Sequence, residues 1–108
     1  MKYQVLVVAE AEEDMFDIYR YVLRVDGLDR ANYVLRRLQE SCQSLANMPR
    51  RGHSPPELEH VGVRGYREVH FKPYRIIYQI EGRKVFVHCV LDGRRGVQEI
   101  LERRLLRH

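Results

Sequence analysis

The chain has 108 residues, 44% of them apolar and 31% charged, which suits one domain over residues 1–108 and excludes a disordered chain. No apolar run approaches the roughly 20 residues that span a bilayer. The acidic AEAEED after the first apolar run stands where a signal peptide needs a small-residue cleavage site, so a cytoplasmic protein without a membrane partner is expected. The formal net charge is +4 and the pI about 9.3. Acidic residues gather at Glu10 to Asp17, and arginines gather late, at Arg94, Arg95, Arg103, Arg104 and Arg107. That asymmetry fits a polyanionic partner, either nucleic acid or an acidic protein segment, and fits a solvated basic surface equally well.

In chain order, Tyr3 to Val8 is short and rich in β-branched residues and reads as a strand. From Ala11 the period changes. Ala11, Met15, Ile18, Val22 and Val25 recur at spacings of four and three, one face of a helix that Gly27 ends. The acidic cluster at its start suits the helix dipole. A second helix is predicted from Asp29, its N-cap, with Ala31, Val34, Leu35, Leu38, Cys42 and Leu45 on its apolar stripe, ending before Pro49. So short a link makes the two helices antiparallel neighbours. Pro49 to Gly62 has no period and reads as a long loop. Three strands follow, Tyr66 to Phe71, Tyr74 to Ile80 and Lys84 to Leu91, joined by hairpin links. A C-terminal helix is predicted from Gly96. The order β-α-α-β-β-β-α makes an α+β fold, with a helical hairpin packed on one face of an antiparallel sheet. Cys42 and Cys89 lack metal-ligand spacing and read as buried free thiols; no metal and no cofactor are expected.

Alternation puts Tyr74, Ile76, Tyr78 and Ile80 toward the helices and Arg75, Ile77 and Gln79 on the open face. The neighbouring strands then turn Val69, Phe71, Val85, Val87, Cys89 and Leu91 inward, and Glu68, His70, Phe86, His88 and Val90 outward. Glu68, His70, Arg75, Gln79 and His88 thus share the open face, where they suit acid–base work, phosphate binding or plain cross-strand ion pairs such as Glu68 with Arg75. A bulge at Pro73 would exchange Arg67 for Glu68.

Four strings resemble the RelE/ParE superfamily of toxins from bacterial type II toxin–antitoxin modules. AEAEEDMFDIYRYV is similar to its first-helix opening, and Leu45 to Gly52 to the L-x-x-x-P-x-x-G end of its second helix. PYRIIY, from Pro73 to Tyr78, and VLDGRR, from Val90 to Arg95, are similar to its middle and last strands. The resemblance spans nearly the whole chain. It implies a small basic toxin held inactive by an acidic, partly disordered antitoxin. One branch cleaves messenger RNA on the ribosome and the other poisons DNA gyrase, and one fold serves both.

For the nuclease branch, the resemblance implies catalytic roles for Arg67, Arg75 and Arg94, with His88 or His70 as a substitute acid–base group. The tyrosine position of that branch falls on Ile100 or Leu101, which cannot move a proton. The terminal His-Tyr pair of related nucleases is met only by a final His108. This departure favours the gyrase branch, which needs no enzyme chemistry, with Arg67, Arg94 and Arg95 contacting gyrase or its DNA. For the antitoxin, Phe16, Tyr19 and Leu23 on the first helix and Tyr33 on the second lie beside the core stripes. They suit a groove for an amphipathic helix, or packing against the long loop and C-terminal helix.

Overall fold

In the computed structural model, which describes residues 2–106, the elements are β1 (Gln4–Val7), α1 (Ala9–Asp26), α2 (Leu28–Ser44), α3 (Pro56–His60), β2 (Tyr66–Phe71), β3 (Tyr74–Glu81), β4 (Lys84–Asp92) and α4 (Val97–Leu101). A π-helical turn over Glu102–Leu106 continues α4. The α+β order is the expected one, with α3 added inside the segment predicted as a loop. Arg107 and His108 lie outside the described residues. None of the helices among the described residues is long and apolar enough to cross a membrane.

A single residue, Gly27, joins α1 to α2. Its φ of 93° reverses the chain at no steric cost, which a side chain would impose there. Its N–H donates to Leu23 O of α1, and its carbonyl accepts from Ala31 N of α2. Gly27 therefore caps α2, and Asp29 sits inside the first turn rather than at the N-cap. The hairpin buries Ala11, Met15, Val22, Ala31, Val34, Leu38 and Cys42 against the sheet. Val25 falls off the end of that stripe and is exposed.

The strand order is β1-β4-β3-β2. β2–β3 and β3–β4 are antiparallel, as their short hairpins require, while β1 pairs parallel to β4, so the sheet is mixed. The expected face assignment holds for β2 and β3 and fails halfway along β4. Ile77 is registered with Cys89 and Tyr78 with Val87, leaving His88 as an extra residue. Such a bulge reverses the alternation beyond it. Val85, Val87 and Val90 consequently face the hairpin, whereas Cys89 and Leu91 face away from it.

The far face is not open. Leu58 of α3 and Val97 and Leu101 of α4 cover Ile77, Cys89 and Leu91 in a second apolar cluster. Burial pushes the two thiols up, Cys42 to about 11 and Cys89 to about 12, since a thiolate has no water to solvate it there. β1 ends opposite Val87 while β4 runs on to Asp92, so part of β4 lacks a strand neighbour on that edge. Asp14 of α1 accepts from Val90 N at 3.0 Å, and Arg104 donates to His88 O at 2.9 Å. Arg104 also donates to both oxygens of Asp14, at 3.0 and 3.1 Å. Side chains thereby complete the backbone pairing that a longer β1 would have supplied.

Candidate functional site

The arginines named from the sequence reach three different places. Arg75 sits on the far face of β3, its side chain only 13% exposed. Its Nε and Nη2 donate to the two oxygens of Glu68, at 2.6 and 3.0 Å. Its Nη1 and Nη2 donate to the two oxygens of Glu57, at 2.7 and 2.6 Å. Glu68 is 1% exposed, and no buried side-chain polar atom among the described residues lacks a partner. The hydrogen bonds that Glu57 accepts, then those that Glu68 accepts, hold Arg75 firmly in its charged form. In return, the Arg75 guanidinium holds the Glu57 carboxyl below its ordinary value.

Alternation finds the Glu68–Arg75 pair but misses both its burial and Glu57. Glu57 lies in the irregular Pro49 to Gly62 segment, three residues after Ser54. The legible signal was Pro55-Pro56-Glu57, a proline at the start of a helix with an acid in its first turn.

Arg67 shares the hairpin face of β2 with Val69. It donates to Gly52 O at 2.8 Å and to Arg50 O at 3.2 Å, fastening the segment after α2. The Tyr78 hydroxyl works beside it, donating to Pro49 O at 2.6 Å and accepting from Gly52 N at 3.1 Å. Gly52 is required there. A Cβ would come within 2.6 Å of both Glu68 O and the Tyr78 hydroxyl.

Arg94 and Arg95 lie past the end of β4, on the rim of a cleft of about 520 Å³ between α1 and the C-terminal helical turn. Tyr21, Tyr74, Ile100 and Arg103 also line it. Arg94 grips Asp92 with Nε and Nη2, at 2.9 and 2.8 Å, which holds the Asp92 carboxyl below its usual value. Arg95 and Arg103 are exposed and make no ion pair among the described residues, so their charges face solvent. The cleft is lined by four arginines, Arg94, Arg95, Arg103 and Arg104, against Asp14, Asp17 and Asp92, and carries two phenols at its edge. Ile100 lines the cleft while packing against the far-face cluster, in which Leu101 is buried.

His88, the bulge residue, is turned to the far face. Its Nε2 lies 2.9 Å from Gln79 Oε1, and its ring packs on Tyr66 and Phe86. Burial lowers its pKa. His70 is apart from it, with Nε2 3.0 Å from Glu68 Oε1. Neither histidine lines the arginine cleft.

The apolar residues named for partner binding divide into two sets. Phe16 is 45% exposed and lines a groove of about 400 Å³ with Val7, Met15, Leu35 and Cys42. Leu23 is exposed two turns further along α1. Tyr19, between them, hydrogen-bonds Asn32 across the helix pair at 3.1 Å. Tyr33 is directed elsewhere, edge-on to Phe71 with Arg30 and Arg36 over its ring. One continuous strip through all four is therefore replaced by a groove beside Phe16 and a separate basic-aromatic patch around Tyr33.

Residues 5–97 match the family model described as the ParE toxin of the type II toxin–antitoxin system parDE. The chain is 28% identical over 81 residues to Toxin ParE3 of Caulobacter vibrioides, which covers 75% of this chain and 77% of that one. Among solved structures it is similar to the chromosomal ParDE toxin–antitoxin system of P. aeruginosa, with a TM-score of 0.69 and 16% identity over 82% of this chain and 94% of that one. It is also similar to the RelBE2 toxin–antitoxin complex of Mycobacterium tuberculosis, with a TM-score of 0.58 and 20% identity over 83% of this chain and 96% of that one.

Proposed function

The chain belongs to the ParE toxin family of type II toxin–antitoxin systems, and from that premise we propose that it inhibits DNA gyrase through its basic cleft and is neutralised by a cognate acidic antitoxin. The observation that carries this reading is that the cations a metal-free nuclease would gather around one phosphate do not converge. Arg75 is held between Glu57 and Glu68, Arg67 is fastened to backbone carbonyls, and of these three arginines Arg94 alone lines the cleft. Metal-free RNA cleavage needs several donors and an acid–base pair within reach of the same scissile bond. Docking on a protein–DNA complex needs only an accessible positive surface, which Arg95 and Arg103 supply, with the Asp92-paired Arg94 beside them.

The groove beside Phe16 is the proposed seat of an antitoxin helix. Apolar side chains laid between two helices suit an amphipathic partner, and the basic patch around Tyr33 suits acidic residues in its extension.

The test is a pair of assays on one preparation. In a gyrase supercoiling reaction, the protein is expected to inhibit, its antitoxin to relieve the inhibition, and replacement of Arg94, Arg95 and Arg103 by alanine to abolish it. In a translation reaction read by primer extension, no discrete transcript ends are expected. Transcript cuts without loss of supercoiling would overturn the gyrase reading and direct attention to Tyr21 and Tyr74, the two phenols on the cleft.

A further inference from the structure

We infer that His53, Glu68 and His70 form a binding site for a single transition-metal dication of the zinc type, on the edge strand of the sheet and away from the arginine cleft. One nitrogen from each imidazole and one carboxylate oxygen lie within 4.8 Å of one another. His70 Nε2 is 3.0 Å and His53 Nδ1 3.8 Å from the Glu68 carboxylate. Zinc bonds of 2.0–2.1 Å in tetrahedral array set ligand atoms about 3.3 Å apart, so closing the site takes a small approach of the two surface rings, with His53 Nδ1 leaving its 3.2 Å contact to Ser54 O.

The backbone has already placed the three residues. Glu68 and His70 are two apart on β2 and share its far face. His53 is locked to Glu68 by two main-chain bonds, His53 N to Glu68 O at 3.2 Å and Glu68 N to His53 O at 2.7 Å. Gly52 permits that approach, because a Cβ there would strike Glu68 O. The two rings stand edge to face with centroids 5.4 Å apart.

The charge and exposure suit a cation arriving from solvent. Arg75 carries one positive charge against two negative ones on Glu57 and Glu68, so the trio is left with one net negative charge beneath two imidazoles. Glu68 is buried, while His53 and His70 are 64% and 41% exposed. Arg75 also fixes the orientation of the Glu68 carboxylate, as outer hydrogen bonds do for ligating carboxylates. Two nitrogens and one oxygen favour zinc, cobalt or nickel over magnesium or calcium, and the exposed side leaves a fourth position for water. A bound ion would tie the segment after α2 to the sheet edge through side chains as well as backbone.

The experiment uses the full chain purified without a polyhistidine tag and stripped with chelator. Cobalt(II) is titrated in and followed by its visible d–d absorption, then displaced with zinc. One equivalent is expected, and zinc is expected to raise the melting temperature. His53→Gln and His70→Gln, both at exposed positions, are each expected to weaken binding more than about 10-fold and to remove the zinc-dependent rise while keeping the parent far-UV spectrum. Absence of stoichiometric binding by the parent protein would overturn the inference. So would undiminished binding by the folded double variant, since the ion would then belong to other histidines.

Discussion

Replacing Arg75 with alanine separates a scaffold from a working residue. Its guanidinium makes four charge-assisted bonds of 2.6–3.0 Å to two carboxylates. Added individually, at about 1.5–3 kcal/mol each, these would reach about 6–12 kcal/mol, as much as the whole stability of a typical domain of this size. The desolvation of three charged groups offsets most of that sum. What survives is the penalty of stranding Glu68, which is almost wholly buried, without its cation. Breaking one side of a buried pair costs about 3–5 kcal/mol, and that loss is expected for Arg75→Ala. Glu57 lies nearer the rim, so Glu57→Gln is expected to cost only about 1–2 kcal/mol. Removing both buried charges, as in Arg75→Met with Glu68→Leu, is expected to recover most of the loss, because the one carboxylate left without its cation, Glu57, is 21% exposed and reaches water. Urea unfolding followed by far-UV circular dichroism measures each value, provided the slope is unchanged. Growth inhibition by the double variant is expected to match the parent. If Arg75→Ala leaves stability within about 0.5 kcal/mol of the parent and toxicity is nonetheless lost, the scaffold reasoning is wrong.

Four further outcomes are expected. Arg75 holds the Glu57 carboxyl below its ordinary value, so between the folded pKa and about 4–4.5 the unfolded chain binds more protons than the folded one. That contribution is complete above this range, is lost as the pH falls through the folded pKa, and its slope in acid denaturation should shrink in Arg75→Ala. Gly52→Ala places a methyl group against Glu68 O and the Tyr78 hydroxyl and should cost about 1–3 kcal/mol by thermal melting. Asp14→Ala strands Val90 N and leaves Arg104 only the longer ion pair with Glu10, an expected cost of about 1–3 kcal/mol, with faster amide exchange at Val90. Phe16→Asp should preserve the melting temperature and weaken antitoxin binding measured by calorimetry; unchanged affinity would remove the groove from the docking surface.

Local chemistry made much of this protein legible in its residues. The helix stripes of α1 and α2 and the alternation of β2 and β3 each encode burial through a period, and a period survives without any tertiary contact. The PYRIIY and VLDGRR strings, with the helix signatures, were enough to indicate the family. Other features arise between elements and have no period. β1 joins parallel to β4 because the chain returns over the hairpin, which composition does not encode. The bulge at His88 reverses the faces of Cys89, Val90 and Leu91 through a single unpaired residue. Strand alternation leaves Arg75 on an open face because α3 has only five residues, too short to show a stripe, and because the stripe of α4 does not say which face of the sheet it covers. Its second carboxylate, Glu57, stands 18 residues away in sequence, and the meeting of His53 with His70 depends on a two-bond bridge that Gly52 allows. Sequence alone thus determined the elements and their inner faces, because those follow from the spacing of neighbours. The tertiary structure decided which charges are neutralised and which remain free to act, because that depends on which distant groups the packing brings within about 3 Å.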